Sequence, residues 1–241
     1  MTPQGLLPGL SIVLPCFNEE DNLRDAVAAA LRAGRRFAER CEVLVVDDGS
    51  TDSTGEIGVE LVEIHPEVRL LLHPVNLGYG AALRTAIRAA TLPFVLLTDA
   101  DLQFDLGELA DFVPLTEEAD VIVGYRIDRQ DPFSRRLAAA GWNGLVRSLY
   151  GLPIRDVDCA FKLIRREVIQ SFTLRSTGAM ISTELLVKCI DAGGRVAEVG
   201  VHHFPRPAGR ASGANPRVVA RAFRELAQLH RVLTPATKHG A

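Results

Sequence analysis

Four short apolar runs each end abruptly in a polar cluster, and a helix-length segment separates each run from the next. Ser11-Ile12-Val13-Leu14-Pro15 ends in Cys16-Phe17-Asn18-Glu19, and Val43 to Val46 ends in Asp47-Asp48-Gly49-Ser50. Val68 to Leu72 leads to Asn76-Leu77-Gly78-Tyr79-Gly80, and Phe94 to Leu97 leads to Thr98-Asp99-Ala100-Asp101. Short unbroken apolar runs predict strands buried on both faces. The segments between them carry helix signals, an acidic start at Asn18 to Asp21 and a cap at Ser50 to Thr54. Strands alternating with helices predict an α/β fold, a Rossmann-like doubly wound and mostly parallel sheet with helices on both faces. Such sheets bind ligands outside the carboxyl ends of their strands, so all four polar clusters are expected on one rim.

Past this repeat the pattern is less regular. Val121 to Gly124 reads as another strand, Tyr125 to Arg136 as a charged loop and Leu137 to Leu149 as a helix. Val157 to Ile164 is apolar enough to pack back on the sheet. A helix over Thr183 to Ala192, a strand over Val196 to Val201 and a Pro/Gly-rich loop from His202 to Pro216 follow. With 241 residues the chain suits one large domain, read here as 10–215 between a tail (1–9) and a C-terminal helix and tail (216–241). A net charge of −3 argues against nucleic acid as a partner. The four cysteines stand apart with no CxxC pair, which favours a reducing cytoplasm over a disulfide framework. The N-terminus lacks a signal-peptide pattern, and no window is apolar enough to span a bilayer.

Asp99 and Asp101 are the leading chemical candidates. A nucleoside diphosphate must have its charge neutralised before it leaves, and a divalent ion held by one or two carboxylates does this. In an extended segment residues i and i+2 point the same way, which would let both meet one ion, with Gln103 next on that side. Taken alone, the pair could equally cap a helix. Asp47 or Asp48 could accept hydrogen bonds from a nucleobase or ribose, while Gly49 and Ser50 also make a turn and cap. Asn76 to Gly80 reads either as a phosphate cradle or as close packing at a strand-to-helix turn. Between Arg126 and Arg166, nine basic residues face four acidic ones, a solvated face or a platform for an anionic acceptor. Leu145, Val146, Leu149 and Tyr150 interleave with Arg147, which also suits contact with a lipid surface. His202 and His203 are possible additions to a metal shell, and Glu184 is a candidate general base.

In order and spacing these motifs resemble glycosyltransferase family 2, from about Leu10 to Ser212. Within it, Asp99-Ala-Asp-Leu-Gln103, Asp156-Val-Asp-Cys-Ala-Phe-Lys162 and Arg206-Pro-Ala-Gly-Arg-Ala-Ser212 are similar to dolichol- and polyprenyl-phosphate sugar transferases. The resemblance implies a GT-A fold and inverting transfer of a hexose from a GDP- or UDP-sugar, with polyprenyl phosphate as the acceptor. A soluble sugar or natural-product hydroxyl is the alternative acceptor, and a nucleotide-sugar-binding protein without transfer activity is the non-enzymatic alternative, against which the intact Asp99/Asp101 pair speaks. The resemblance assigns Pro15, Phe17, Glu19 and Asp47 or Asp48 to the nucleoside, with Gly78 also near the donor. It assigns Asp99, Asp101 and Gln103 to Mg²⁺ or Mn²⁺. Arg206 and Ser212 would meet phosphates, Ser212 on the acceptor side, with Arg126 and Arg136 also near the acceptor. Asp101, Arg206 and, for a hydroxyl acceptor, Glu184 would be catalytic. Such an enzyme is expected in the cytoplasm, peripherally at the inner face of the membrane. Phe17 where tyrosine is usual, Phe104-Asp105-Leu106 after the metal motif and Ala138-Ala139-Ala140 depart from the family pattern. A nucleotidyltransferase would instead carry a basic Gly-rich loop after the first strand, where this chain has Cys16-Phe17-Asn18-Glu19.

Overall fold

The computed structural model describes residues 5–127, 133–208, 224–227 and 229, the backbone alone at 133–140. The elements run β1 (Leu10–Cys16), α1 (Leu23–Phe37), β2 (Cys41–Asp47), α2 (Thr54–Ile64), β3 (Val68–Leu72), α3 (Tyr79–Ala89) and β4 (Phe94–Leu97). They continue with α4 (Leu109–Phe112), β5 (Val121–Ile127), α5 (Phe133–Tyr150), β6 (Lys162–Arg165), α6 (Arg166–Ile169), α7 (Ile181–Asp191) and β7 (Val196–His202). These strands form one sheet in the order β3-β2-β1-β4-β6-β5-β7. The first four are the predicted strands, each lengthened by no more than a few residues.

The sheet is doubly wound because its central strands have no polar face. In β1, Ile12 and Leu14 point into a core with Leu23, Val27, Ile57 and Phe112, while Val13 points into another with Ala82, Ala86 and Leu186. Phe112 and Phe161 are fully buried and in ring contact at 4.9 Å. Burying each such ring stabilises the fold by roughly 1.5–3 kcal/mol. In α1 the buried positions Leu23, Ala26, Val27, Ala30, Leu31 and Gly34 recur at helical spacing, which lays one face on the sheet.

Two features of the second half differ from expectation. Tyr125 to Ile127 lie in strand, not loop, because β7 pairs with β5 along its whole length, from Val121↔Val196 to Ile127↔His202. Strand β6 runs antiparallel to both neighbours, with Lys162 opposite Leu97 of β4 and Val123 of β5. The reversal matters for the site. A parallel strand would deliver its carboxyl end to the rim, whereas β6 starts there and brings the 156–162 segment beside the end of β4.

Candidate active site

The rim begins as a lattice between the loops after β1 and β2. Asn18 sits at φ +55°, a conformation asparagine tolerates better than most residues, and this turns its side chain across the gap. Its carboxamide oxygen accepts the Thr51 N–H at 2.8 Å, and its own N–H donates to Ser50 Oγ at 2.9 Å. Glu19 N–H donates to Thr54 Oγ1 at 2.8 Å, and Ser53 N–H to the Glu20 carboxylate at 3.0 Å. Loop amides that would otherwise need water are satisfied across the gap, which fixes the rim before any ligand arrives. Pro15, half-buried, and Phe17, exposed, stand at its edge.

The next loop is fastened to the same strand end by Asp48, whose carboxylate accepts the Leu77 and Gly78 N–H groups at 2.9 and 2.8 Å. His73 Nδ1 lies 2.6 Å from the same carboxylate, and its Nε2 is 2.9 Å from Thr85 Oγ1. The Asn76–Gly80 turn thus cradles an anion, but an internal one. Asp48 and Gly78, both expected to face the donor, saturate each other. Gly49 makes this closure possible: at φ +70°, a Cβ there would sit 2.3 Å from the Val75 carbonyl carbon. Asp47 accepts the Ser50 N–H at 2.9 Å, which closes the turn after β2 whatever else it contacts.

Asp99 and Asp101 follow β4, but not in the extended geometry expected. The chain turns at 100–102, with Leu102 at φ +59°, an unfavourable conformation for a leucine. Tyr79, at the start of α3, donates its hydroxyl to Asp99 Oδ1 at 3.1 Å, and Gln103 N–H donates to Asp101 Oδ1 at 3.2 Å. Burial, reinforced by the negative charge of Asp99, pushes the Asp101 carboxyl up to about 7. Burial likewise raises Asp99, against the hydrogen bond from Tyr79. Neither carboxylate forms an ion pair with a described residue. Among the described residues no third His, Cys, Asp or Glu completes a metal cage around them. Two crowded carboxylates short of a partner fit a hard divalent cation whose remaining positions are filled by water and phosphate oxygens.

Glycosyl transferase family 2, as a family model, matches residues 11–172. The chain belongs to that family. An uncharacterized glycosyltransferase of Mycobacterium tuberculosis is 33% identical over 210 residues, which cover 83% of this chain and 88% of the relative. An undecaprenyl-phosphate 4-deoxy-4-formamido-L-arabinose transferase of Pectobacterium atrosepticum is 30% identical over 168 residues, 68% of this chain and 51% of that longer protein. Among solved structures, glucosyl-3-phosphoglycerate synthase of M. tuberculosis with Mn²⁺ and uridine-diphosphate-glucose superposes with a TM-score of 0.71. It shares 19% identity, over 97% of this chain and 82% of that one. The fold is GT-A, and the protein is a glycosyltransferase.

In this glycosyltransferase the segment after β7 is fastened to Gln103, just past the carboxylate pair. Phe204 N–H donates to Gln103 O and Gln103 Nε2 to Phe204 O, both at 2.9 Å. Gln103, expected as a metal ligand, spends its amide nitrogen on this strap, and its side-chain oxygen makes no hydrogen bond with a described residue. Arg206 is paired with Glu19, and its Nε donates to Ala208 O at 2.8 Å. Arg206 and Glu19, distant in sequence, therefore meet beside the metal motif.

Other expected residues have other work. Glu184 is fully buried; its carboxylate accepts the N–H groups of Arg175 and Ser176 and pairs with Lys188 at 2.6 Å. Burial alone would raise its carboxyl, but the Lys188 ammonium and those N–H groups overcome it and hold it below the usual range. A saturated carboxylate of lowered pKa is a loop anchor and a poor general base. Arg126, expected near the acceptor, forks onto Asp156 at 2.7 and 2.8 Å, which spends two of its three guanidinium nitrogens inside the protein. Arg165 pairs with Asp120 and Arg155 with Glu198, so much of the basic surplus holds the sheet edge together. His202 is committed to Glu108. The Arg136 side chain and Ser212 lie outside the described residues.

Two site residues were not singled out from sequence. Tyr79 belonged to a quoted motif, but its hydroxyl contact with Asp99 needs the fold. Lys162, counted with the surface basic residues, is 1% exposed, and its ammonium donates to Cys159 O. Burial lowers its pKa while Cys159 and the carboxylates of Asp158, Asp156 and Asp99 oppose that shift. A buried cation below the carboxylate pair follows from the reversal of β6.

Proposed function

We propose that this glycosyltransferase moves a hexose, with inversion, from a GDP- or UDP-sugar to polyprenyl phosphate at the inner face of the cytoplasmic membrane. The observation that carries the reading is the crowded Asp99/Asp101 pair, raised in pKa and without an ion pair among the described residues, beside an arginine on a strap. Asp99 and Asp101 would hold Mg²⁺ or Mn²⁺, and a bound ion would neutralise charge developing on the departing diphosphate. Pro15, Phe17 and Asp47 border the space for the nucleoside. Arg206 exchanges the Glu19 carboxylate for diphosphate oxygens, a group its planar fork matches. The anomeric carbon loses its bond to the diphosphate and gains one to the acceptor oxygen on the opposite face. A phosphate acceptor is already ionised and needs no base, in keeping with the saturated state of Glu184.

The acceptor rests on likeness to the Pectobacterium transferase, whose name specifies undecaprenyl phosphate. Exposed Leu145 and Leu149 beside Arg147 on α5 suit peripheral contact with a lipid surface. No helix of the described residues is long and apolar enough to cross a membrane.

The test is incubation of the full chain with radiolabelled UDP-glucose or GDP-mannose, Mn²⁺ and undecaprenyl phosphate in detergent. Label in a mild-acid-labile lipid is the expected product. Transfer only to a soluble hydroxyl acceptor would replace the lipid reading, and no Mn²⁺ or Mg²⁺ requirement would remove the metal role.

A further inference from the structure

Away from the rim, a cleft of about 300 Å³ opens between the outer side of α3 and the chain from Ile169 to Leu174. Ile87, Phe172 and Leu174 line it with apolar surface, and Arg84, Arg88 and Gln170 supply its polar groups. No carboxylate is among its lining residues. The two arginines differ in their commitments. Arg84 donates one terminal nitrogen to Arg175 O at 2.8 Å, but its Nε is buried with no partner. Arg88 is exposed and forms no ion pair with a described residue. Gln170 spends its amide nitrogen on Ile87 O and Ala90 O at 2.7 and 3.0 Å, which ties the cleft wall to the end of α3.

A buried donor without an acceptor is destabilising, and adjacent positive charge with no counter-ion among the described residues adds to it. The arginine charge lining the cleft is met by one ligand chemistry, an anion with several acceptor oxygens, and the Arg84 guanidinium gains an acceptor for its buried Nε by turning toward it. The apolar wall adds a second requirement, because an inorganic ion would leave Ile87, Phe172 and Leu174 uncovered. We infer that the cleft is a second binding site of this glycosyltransferase for a small phosphate monoester with a compact apolar body, distinct from the donor rim. Phosphate oxygens meet Arg84 and Arg88, and the organic group lies on the apolar wall.

Phenyl phosphate is the probe, titrated calorimetrically into the full chain, with inorganic phosphate as the second arm. Arg206→Ala removes the phosphate-binding arginine of the rim, so it separates this site from the reading proposed above. The expected result is one saturable site for phenyl phosphate, kept in Arg206→Ala and weaker for inorganic phosphate. Arg88→Glu should weaken it about tenfold or more, an effect of about 1.4 kcal/mol. Arg88 makes no bond whose loss would disturb the fold, so that variant stays readable even if Arg84→Gln loosens the 175–178 loop. Unchanged affinity in Arg88→Glu, or binding that vanishes in Arg206→Ala, would overturn the proposal. So would an absence of saturable binding at about 10 mM, where even a ~1 mM site would be mostly filled.

Discussion

The rim of the half of the sheet built from β1, β2 and β3 and the edge built from β5, β6 and β7 are fastened by different kinds of bond. In the first half, side chains close to the strand ends accept backbone N–H groups of neighbouring loops: Asn18 from Thr51, Asp47 from Ser50, Asp48 from Leu77 and Gly78. In the second half, charged side chains far apart in sequence meet: Arg126 with Asp156, Arg165 and Arg195 with Asp120, Arg155 with Glu198. Bonds to backbone amides need only a carboxylate or amide at one place in a short motif. Ion pairs need two residues to be correct at once, and either can drift if its partner compensates. The difference accounts for a rim written in compact motifs and a far side that is not.

The largest effect is expected at the boundary between the halves. Asp101→Ala should reduce kcat/KM for sugar transfer about 10³-fold, roughly 4 kcal/mol of transition-state stabilisation. It should also abolish any Mn²⁺ dependence of donor binding measured by calorimetry. Retained metal-dependent binding would detach the pair from the diphosphate.

Within the first half, Gly49→Ala should destabilise the protein by about 3 kcal/mol, from a strained φ and collision with the Val75–Asn76 backbone. Urea denaturation measures it, and an unaltered midpoint would show that the loop closure is looser than described. In the second half, Arg126→Gln leaves Asp156 buried without its cation and should also cost about 3 kcal/mol, yet leave donor affinity within about threefold. A large loss of donor affinity would erase the contrast between the halves.

Glu184→Gln is the mildest test, expected to cost about 1 kcal/mol and to leave transfer to a phosphate acceptor near normal. The pH dependence separates it from Asp101. The lowered Glu184 carboxyl contributes stability present above the unfolded pKa and lost as pH falls through the folded value. The raised Asp101 carboxyl acts the other way: its contribution is present below the unfolded pKa and lost as pH rises through about 7. In chelator, Asp101→Asn should therefore flatten the decline in stability between about pH 4 and 7, while Glu184→Gln flattens the decline at more acid pH. Thermal melts across that range read both, and identical profiles for the two variants would refute the assignment.

The sheet's first four strands could be read from Ile12-Val13-Leu14, Val43 to Val46 and their like because no helix of ordinary length fits such short apolar runs. Their common rim followed from parallel winding alone. The reversal of β6 could not be read, since Lys162 to Arg165 is too short to carry a direction, and with it went the burial of Lys162. Glu184 misled for a different reason: a glutamate in a helix reads the same whether it faces substrate or caps a loop. Asp48 and Gly78 were each assigned to the donor because residue type reveals the capacity to bond but not the partner already taken.

The pairing of Arg206 with Glu19 gives donor recognition the character of an exchange. An unoccupied guanidinium would accept any passing anion, and the cell holds many. One already engaged by a carboxylate yields only to a ligand that also compensates the displaced carboxylate. On the proposed reading, a metal-laden diphosphate also offers Glu19 and its neighbours compensating positive charge, which a lone phosphate or carboxylate does not. On that reading, discrimination against abundant small anions is set in the empty enzyme, before any sugar or acceptor is tested.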